Sequence, residues 1–179
     1  MNRTTTRLAL AILTGLLMAA IFPKLQWSWL AFVCLVPLFF LLSQPSSPFA
    51  TAKLFYLAGL VFHLGNLYWI YHVIQHYTSL APVLAAGILV LLCLTLSLFW
   101  GLCGWVLGWI SVRYGMERAL LAAPFCWILA AEKAKFLIQF PWDLLGYSQI
   151  NHLAIAQFGS LAGVFGLSWL IVLVNSGIT

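Results

Sequence analysis

The stretch from Leu80 to Val112, LAPVLAAGILVLLCLTLSLFWGLCGWVLGWISV, carries no charged residue and no proline after Pro82. An apolar helix rises about 1.5 Å per residue and must cross about 30 Å of hydrocarbon, so roughly 20 residues serve one crossing. The stretch is too long for one crossing and too short for two with a turn between them. It therefore predicts a single long, tilted helix that projects beyond the bilayer. Working outward, the same ruler marks apolar segments at Leu8 to Phe22, Trp27 to Leu42, Leu54 to Ile74, about Ala119 to Ile138 and about Leu153 to Ile178. The first two are short and joined by Pro23-Lys24-Leu25-Gln26, so they read as a helical hairpin. Ser43-Gln44-Pro45-Ser46-Ser47-Pro48 is the clearest linker. The expected fold is all-α, a polytopic transmembrane bundle of about six helices that occupies residues 1–179 and leaves no soluble domain.

Composition points the same way. Eight of the 179 residues are Lys or Arg and three are Asp or Glu, where an ordinary soluble domain is about 25% charged. With 64% hydrophobic residues, the chain cannot cover its surface with polar groups unless most of that surface faces lipid. The formal net charge of +5 is spread as single residues between apolar runs. Phosphate recognition needs a clustered patch, so nucleic acid is excluded as a partner. Basic residues in short loops set orientation. With the N-terminus in the cytoplasm, Arg3, Arg7, Lys53, Arg113 and Arg118 lie inside and Lys24, Lys133 and Lys135 outside. Tyr68, Trp69, Tyr71 and Tyr77 then form an aromatic belt at the outer end of the third segment. Arg3 and Arg7 imitate the start of a signal peptide, but Phe22-Pro23-Lys24 stands where a small-residue cleavage site would be. The first helix is expected to be retained.

Candidates for chemistry are few. Cys34, Cys93, Cys103 and Cys126 sit in apolar stretches with no C-x-x-C pair and read as small buried hydrophobes. His72 and His76 share a helix face, as a metal pair would, yet no third ligand follows and both fall at the interface; no metal and no cofactor is expected. His63, nearly opposite on the same helix, is expected to face a polar neighbour such as Asn66 or a water. Cys126 and Glu132 would stand about 240° apart around one helix, so they form no base-activated thiol locally. Gly104 with Gly108, and Gly159 with Gly163, make small-x-x-x-small pairs that let helices approach closely, within the bundle or between copies.

The densest polar and aromatic constellation runs from Phe140 through Pro141, Trp142, Asp143, Leu144, Leu145, Gly146, Tyr147, Ser148, Gln149, Ile150 and Asn151 to His152. Pro141 stops the preceding helix and Gly146 allows a turn. Asp143, Tyr147, Ser148 and Gln149 supply a carboxylate, hydroxyls and an amide beside two bulky rings. Such a strip can hold a molecule with a greasy tail and a polar ester or headgroup. It can equally be an interfacial loop whose rings anchor it and whose polar groups satisfy freed backbone.

Phe140-Pro141-Trp142, followed by Leu144-Leu145-Gly146-Tyr147-Ser148-Gln149, resembles the FPW…LLGYSQ signature of the bacterial apolipoprotein N-acyltransferases. Ala162-Gly163-Val164-Phe165-Gly166-Leu167-Ser168, Val174-Asn175, Phe22-Pro23 and Leu67-Tyr68-Trp69-Ile70 are similar to further stretches of that family in the same order. The resemblance covers essentially the whole chain. It implies a multi-pass protein of the bacterial inner (plasma) membrane with a cytoplasmic N-terminus. The family continues into a periplasmic nitrilase-like domain with a Glu-Lys-Cys triad and a last membrane helix. Its enzymes take an acyl chain from a membrane phospholipid onto the cysteine as a thioester. They then pass it to the α-amine of an apolipoprotein's lipidated N-terminal cysteine, which matures the lipoprotein.

None of the four cysteines matches the catalytic one, so no catalytic residue is assigned in this chain, and the nitrilase-like domain is expected in cis or in trans, the sequence being a truncated chain or one half of a split enzyme. Alone it is expected to be inactive. The resemblance implies that Trp142, Tyr147 and Gln149 line or shape a lipid entrance, with Trp69 packed nearby. Ungapped alignment on the motif puts Ala130 at the family's acidic position and Lys133 at its Arg, which leaves Glu132 outside the pattern. The alternative is a non-catalytic membrane scaffold or lipid-binding subunit that docks a separate partner. A small transporter is disfavoured, because no mid-bilayer charge pair or broken helix marks a substrate path.

Overall fold

The uncharged stretch forms one unbroken helix, α5, from Pro82 to Tyr114. At 33 residues it measures about 50 Å, well beyond the hydrocarbon thickness. The structure is a computed structural model that describes residues 3–22, 25–44, 46–132, 137, 140 and 142–179. Among them the elements are helices and no strand is present. α1 spans Arg3–Ala20, α3 Pro48–Asn66, α4 Trp69–Tyr77, α6 Met116–Cys126, α7 Leu153–Ala156 and α8 Gly159–Ile178, with the single-turn α2 at Val36–Phe39. α3, α5 and α8 are each long and apolar enough to cross a membrane.

Local chemistry sets the boundaries. Ser47 caps α3 by accepting from the Ala50 amide at 3.2 Å, and Pro48 opens the helix where its missing N–H costs nothing. Gly115, at φ 94°, separates α5 from α6. Pro124 removes a donor inside α6, which then widens into a π-helical turn over Trp127–Glu132.

Three apolar segments are less regular than their hydropathy suggests. Trp27 to Leu42 holds a 3₁₀ turn at Ser28–Phe32, α2, and another 3₁₀ turn at Phe40–Ser43. Leu54 to Ile74 is interrupted between Asn66 and Trp69, where the last turn of α3 closes with a bond from the Leu67 amide to the His63 carbonyl at 2.8 Å. Leu153 to Ile178 is divided into α7 and α8, and α8 kinks at Gly163, whose φ of 68° is left-handed.

The segments close into a ring. α1 packs on α3, α3 on α5, α5 on α6, α6 on α8, and α2 touches both α8 and α1. α1 and α3 run parallel, Gly15 against Ala58 and Val61 and Gly65 against Ala19. α5 runs antiparallel to α3, with Gly59 beneath Trp100, Gly104 against Phe55 and Gly108 against Thr51. Gly104 and Gly108 thus serve packing inside the bundle, whereas Gly159 and Gly163 have open space beside them. Inside the ring Met18, Phe39, Phe55, Phe62, Trp100 and Trp127 are buried, with Trp100 and Trp127 at 4.7 Å between centroids. Leu16, Leu98, Leu121 and Leu129 point outward and are exposed, the inverse of a soluble domain.

This ring has two unlike ends. The start of α1 and α3, the end of α5 and the start of α6 gather Arg3, Arg7, Lys53, Arg113 and Arg118 at one end. The other end holds the close of α1, the break between α3 and α4, and the 3₁₀ turn Leu145–Gln149. Lys24, Lys133, Lys135 and Pro141 lie outside the described residues.

Candidate functional site

The polar strip is built around irregular backbone. Its 3₁₀ turn, Leu145–Gln149, starts where Glu132 Oε1 accepts from the Leu145 amide at 2.9 Å and from Trp127 Nε1 at 3.3 Å. The next amide, Gly146, donates to Ser168 Oγ on α8 at 2.8 Å. A Cβ at Gly146 would stand 2.5 Å from the Val164 carbonyl oxygen, so only glycine lets the turn seat against α8. Gln149 Nε2 donates to the Ser28 carbonyl at 2.8 Å and to Ser148 Oγ at 2.9 Å. Ser28 Oγ and His152 Nε2 are 2.6 Å apart, and Asn151 Nδ2 donates to Gln26 Oε1 at 3.3 Å. The turn is therefore sewn to the Gln26–Ser28 link on one side and to α8 on the other.

Deeper in the ring, Asn175 on α8 does the same for the broken second segment. Its Nδ2 donates to the Ala31 carbonyl at 2.8 Å and its Oδ1 accepts from the Leu35 amide at 2.8 Å. With no water in the bilayer to take those groups, a polar side chain must.

A second polar line crosses the core. His63 Nε2 on α3 stands 3.4 Å from Asp143 Oδ2, with side-chain exposures of 0% and 1%. His63 Nδ1 stands 3.2 Å from Ser97 Oγ on α5, which donates to the Cys93 carbonyl at 2.6 Å. The neighbour expected for His63 was Asn66 or a water; the structure puts Ser97 and Asp143 there instead. A transporter would need a mid-bilayer charge pair or a broken helix to mark a substrate path. The structure holds a break between α3 and α4 and a buried His63–Asp143 contact, charged only where the ring is protonated, but the contact opens on no path, because neither side chain reaches the surface.

Outward of this line stand the aromatic rings. Trp142 is exposed, 5.7 Å from Trp69 and 5.2 Å from Phe140 between centroids. Tyr147 is exposed beside a cavity of about 120 Å³ lined by Ile21, Phe22, Gln26, Ser148, Ile150 and Asn151. The structure thus brings Trp142 and Trp69 together and sets Tyr147 at the surface of the same end. Gln149 has no exposed surface and holds the turn from within. Glu132 and Asp143, which the signature pattern left aside, both prove to be buried and engaged. The only hint in sequence was their cost, since a carboxylate inside a membrane protein needs a partner.

Cys34, Cys93 and Cys103 are buried, Cys126 is half-buried, and all four are free thiols. Among the described residues no group of three or more His, Cys, Asp or Glu could hold a metal ion.

Residues 14–177 match the family described as apolipoprotein N-acyltransferase N-terminal domain. Similar proteins include the apolipoprotein N-acyltransferase of Geobacter metallireducens, 34% identical over 170 residues, which covers 93% of this chain and 32% of the relative. That of Chromobacterium violaceum is 32% identical over 164 residues, 91% of this chain and 31% of the relative. That of Coxiella burnetii is 30% identical over 170 residues, 93% and 34%. The chain spans about a third of the length of these curated relatives.

Proposed function

We propose, since this chain belongs to the apolipoprotein N-acyltransferase family through its N-terminal domain, that it is the multi-pass bundle which holds phospholipid donor and apolipoprotein acceptor for acyl transfer. On this reading it sits in the bacterial inner membrane with its N-terminus in the cytoplasm, and its strip faces the periplasm. The observation that carries the reading is the exposed Trp142–Trp69 pair on a strip pinned from behind by Glu132, Ser168 and Gln149. A greasy surface on a rigid backing suits an acyl chain. The gathering of five basic residues at the opposite end supports the orientation.

The chemistry itself belongs to the Glu-Lys-Cys triad of the nitrilase-like domain, in cis or in trans. A thiolate attacks the phospholipid ester, the lysophospholipid alkoxide leaves and is protonated, and the thioester forms. The acceptor amine then attacks the thioester, and the amide forms as the thiolate leaves. Glutamate acts as general base and lysine stabilises the oxyanion, so one hard transfer becomes two easier ones. Burial of Cys34, Cys93 and Cys103 supports placing the nucleophile elsewhere.

The test is incubation of the purified 179-residue chain in vesicles with phospholipid labelled in its acyl chain. No protein-bound label is expected. A labelled band lost on replacing Cys34, Cys93, Cys103 or Cys126 by serine would sink this assignment.

A further inference from the structure

Asp143 adopts φ 58°, a left-handed backbone conformation that few non-glycine residues take and that Asp, Asn and His tolerate best. The turn sends consecutive side chains opposite ways: Trp142 to the surface, the Asp143 carboxylate into the core. There the carboxylate meets His63 in the last turn of α3, next to the break beyond which Trp69 opens α4. One buried contact therefore joins the loop that carries Trp142 to the helix whose end adjoins Trp69.

Proton placement shows how tightly. Ser97 gives its hydroxyl proton to the Cys93 carbonyl at 2.6 Å, so the contact at 3.2 Å requires His63 Nδ1 to donate to Ser97 Oγ. His63 Nε2 then faces Asp143 Oδ2 at 3.4 Å, an ion pair where the ring is protonated. The contact links the loop to α3 inside an apolar core, where drawing opposite charges apart is costly. The order Ser97, His63, Asp143 has the composition of a nucleophile relay. Ser97 has no exposed surface, however, so no acyl ester can reach it.

We propose that Asp143 and His63 are positioning residues for the lipid entrance: their contact sets Trp142 and Trp69 into one aromatic wall against which a phospholipid acyl chain lies. The proposal rests on the entrance reading given above, and its test separates the two. The chain is labelled with 5-fluorotryptophan and placed in nanodiscs of phosphatidylethanolamine and phosphatidylglycerol, and fluorine NMR is recorded. Trp142→Phe and Trp69→Phe assign the two resonances. Asp143→Asn and His63→Gln should each shift or broaden both, while Trp105 and Trp109, on the basic half of α5, stay fixed and report that the bundle is folded. The double variant should do no more than either single one. If Asp143→Asn does not fold, Asp143→Glu, which keeps the carboxylate with a longer reach, should move the same two resonances by less.

Unmoved Trp142 and Trp69 resonances in a folded variant, shifts confined to one of them, or additive shifts in the double variant overturn the proposal. Phospholipid bearing a nitroxide on its acyl chain supplies the second arm. It should broaden Trp142 and Trp69 at a lower labelled fraction than Trp105 and Trp109, which meet bulk lipid. Without that preference the entrance reading fails while the coupling of Asp143 and His63 to the two indoles stands.

Discussion

The interface between α3 and α5 and the seam around the Leu145–Gln149 turn lie in one bundle and are held by different forces. Along α3 and α5 the backbone satisfies itself, so apart from the His63–Ser97 contact the fit is one of shape: Gly59 receives Trp100, Gly104 receives Phe55 and Gly108 receives Thr51. At the seam the backbone is irregular and pairs with itself only in part. Glu132, Ser168, Gln149 and Asn175 supply what it lacks. The difference explains where this chain spends its scarce polar residues. Many of them gather beside broken backbone, which cannot persist in lipid unless its freed groups are met.

If that division is right, the seam should be the more sensitive of the two to loss of a polar group. Asn175→Ala leaves the Leu35 amide unmet and the Ala31 carbonyl with only the weak Cys34 thiol donor at 3.3 Å, and at roughly 1–3 kcal/mol per orphaned buried group it should cost on the order of 3 kcal/mol, read from reversible unfolding in mixed micelles by circular dichroism. A cost near zero would mean that water or another side chain serves this backbone. Glu132→Ala strips partners from the Leu145 amide and the Trp127 indole and should cost about 2 kcal/mol, most of it recovered in Glu132→Gln, which keeps an acceptor. The same unfolding curves decide the matter, and equal losses in both variants would point to charge instead of hydrogen bonding.

The helical interface should fail in the opposite manner, by gaining atoms. At Gly104 an added Cβ would stand 2.5 Å from Phe55 Cβ, so Gly104→Ala is expected to destabilise by about 1–2 kcal/mol through overpacking. Gly87, on the same helix with nothing near its missing Cβ, is the companion measurement. Gly87→Ala should be neutral or stabilising by less than about 1 kcal/mol. Matching behaviour of the two alanine variants in thermal unfolding would refute the close approach of α3 to α5.

The candidate site was legible to different depths. Trp142 and Tyr147 could be read as outward rings, because amphipathic aromatics beside a proline and a turn glycine belong at an interface. Gln149 could be picked out as polar but not as buried, since its Nε2 is met by the carbonyl of Ser28, distant in sequence. The partner of His63 was out of reach for the same reason: Ser97 and Asp143 come from other segments. Glu132 fell outside the family's spacing, and only the π-helical turn that carries it explains how it reaches Leu145.

By itself the sequence determined that the chain is an all-α bundle for a lipid environment and that Leu80 to Val112 is one helix. Hydropathy and charge are local quantities, and the cost of exposing either to the wrong solvent is paid residue by residue. Only the tertiary structure decided which apolar segments stay regular and which break, and which buried polar groups meet. A broken helix survives where a distant side chain, Asn175 for Ala31 and Leu35 or Glu132 for Leu145, takes up the freed backbone groups. That pairing is a property of the folded arrangement, and no window along the chain contains it.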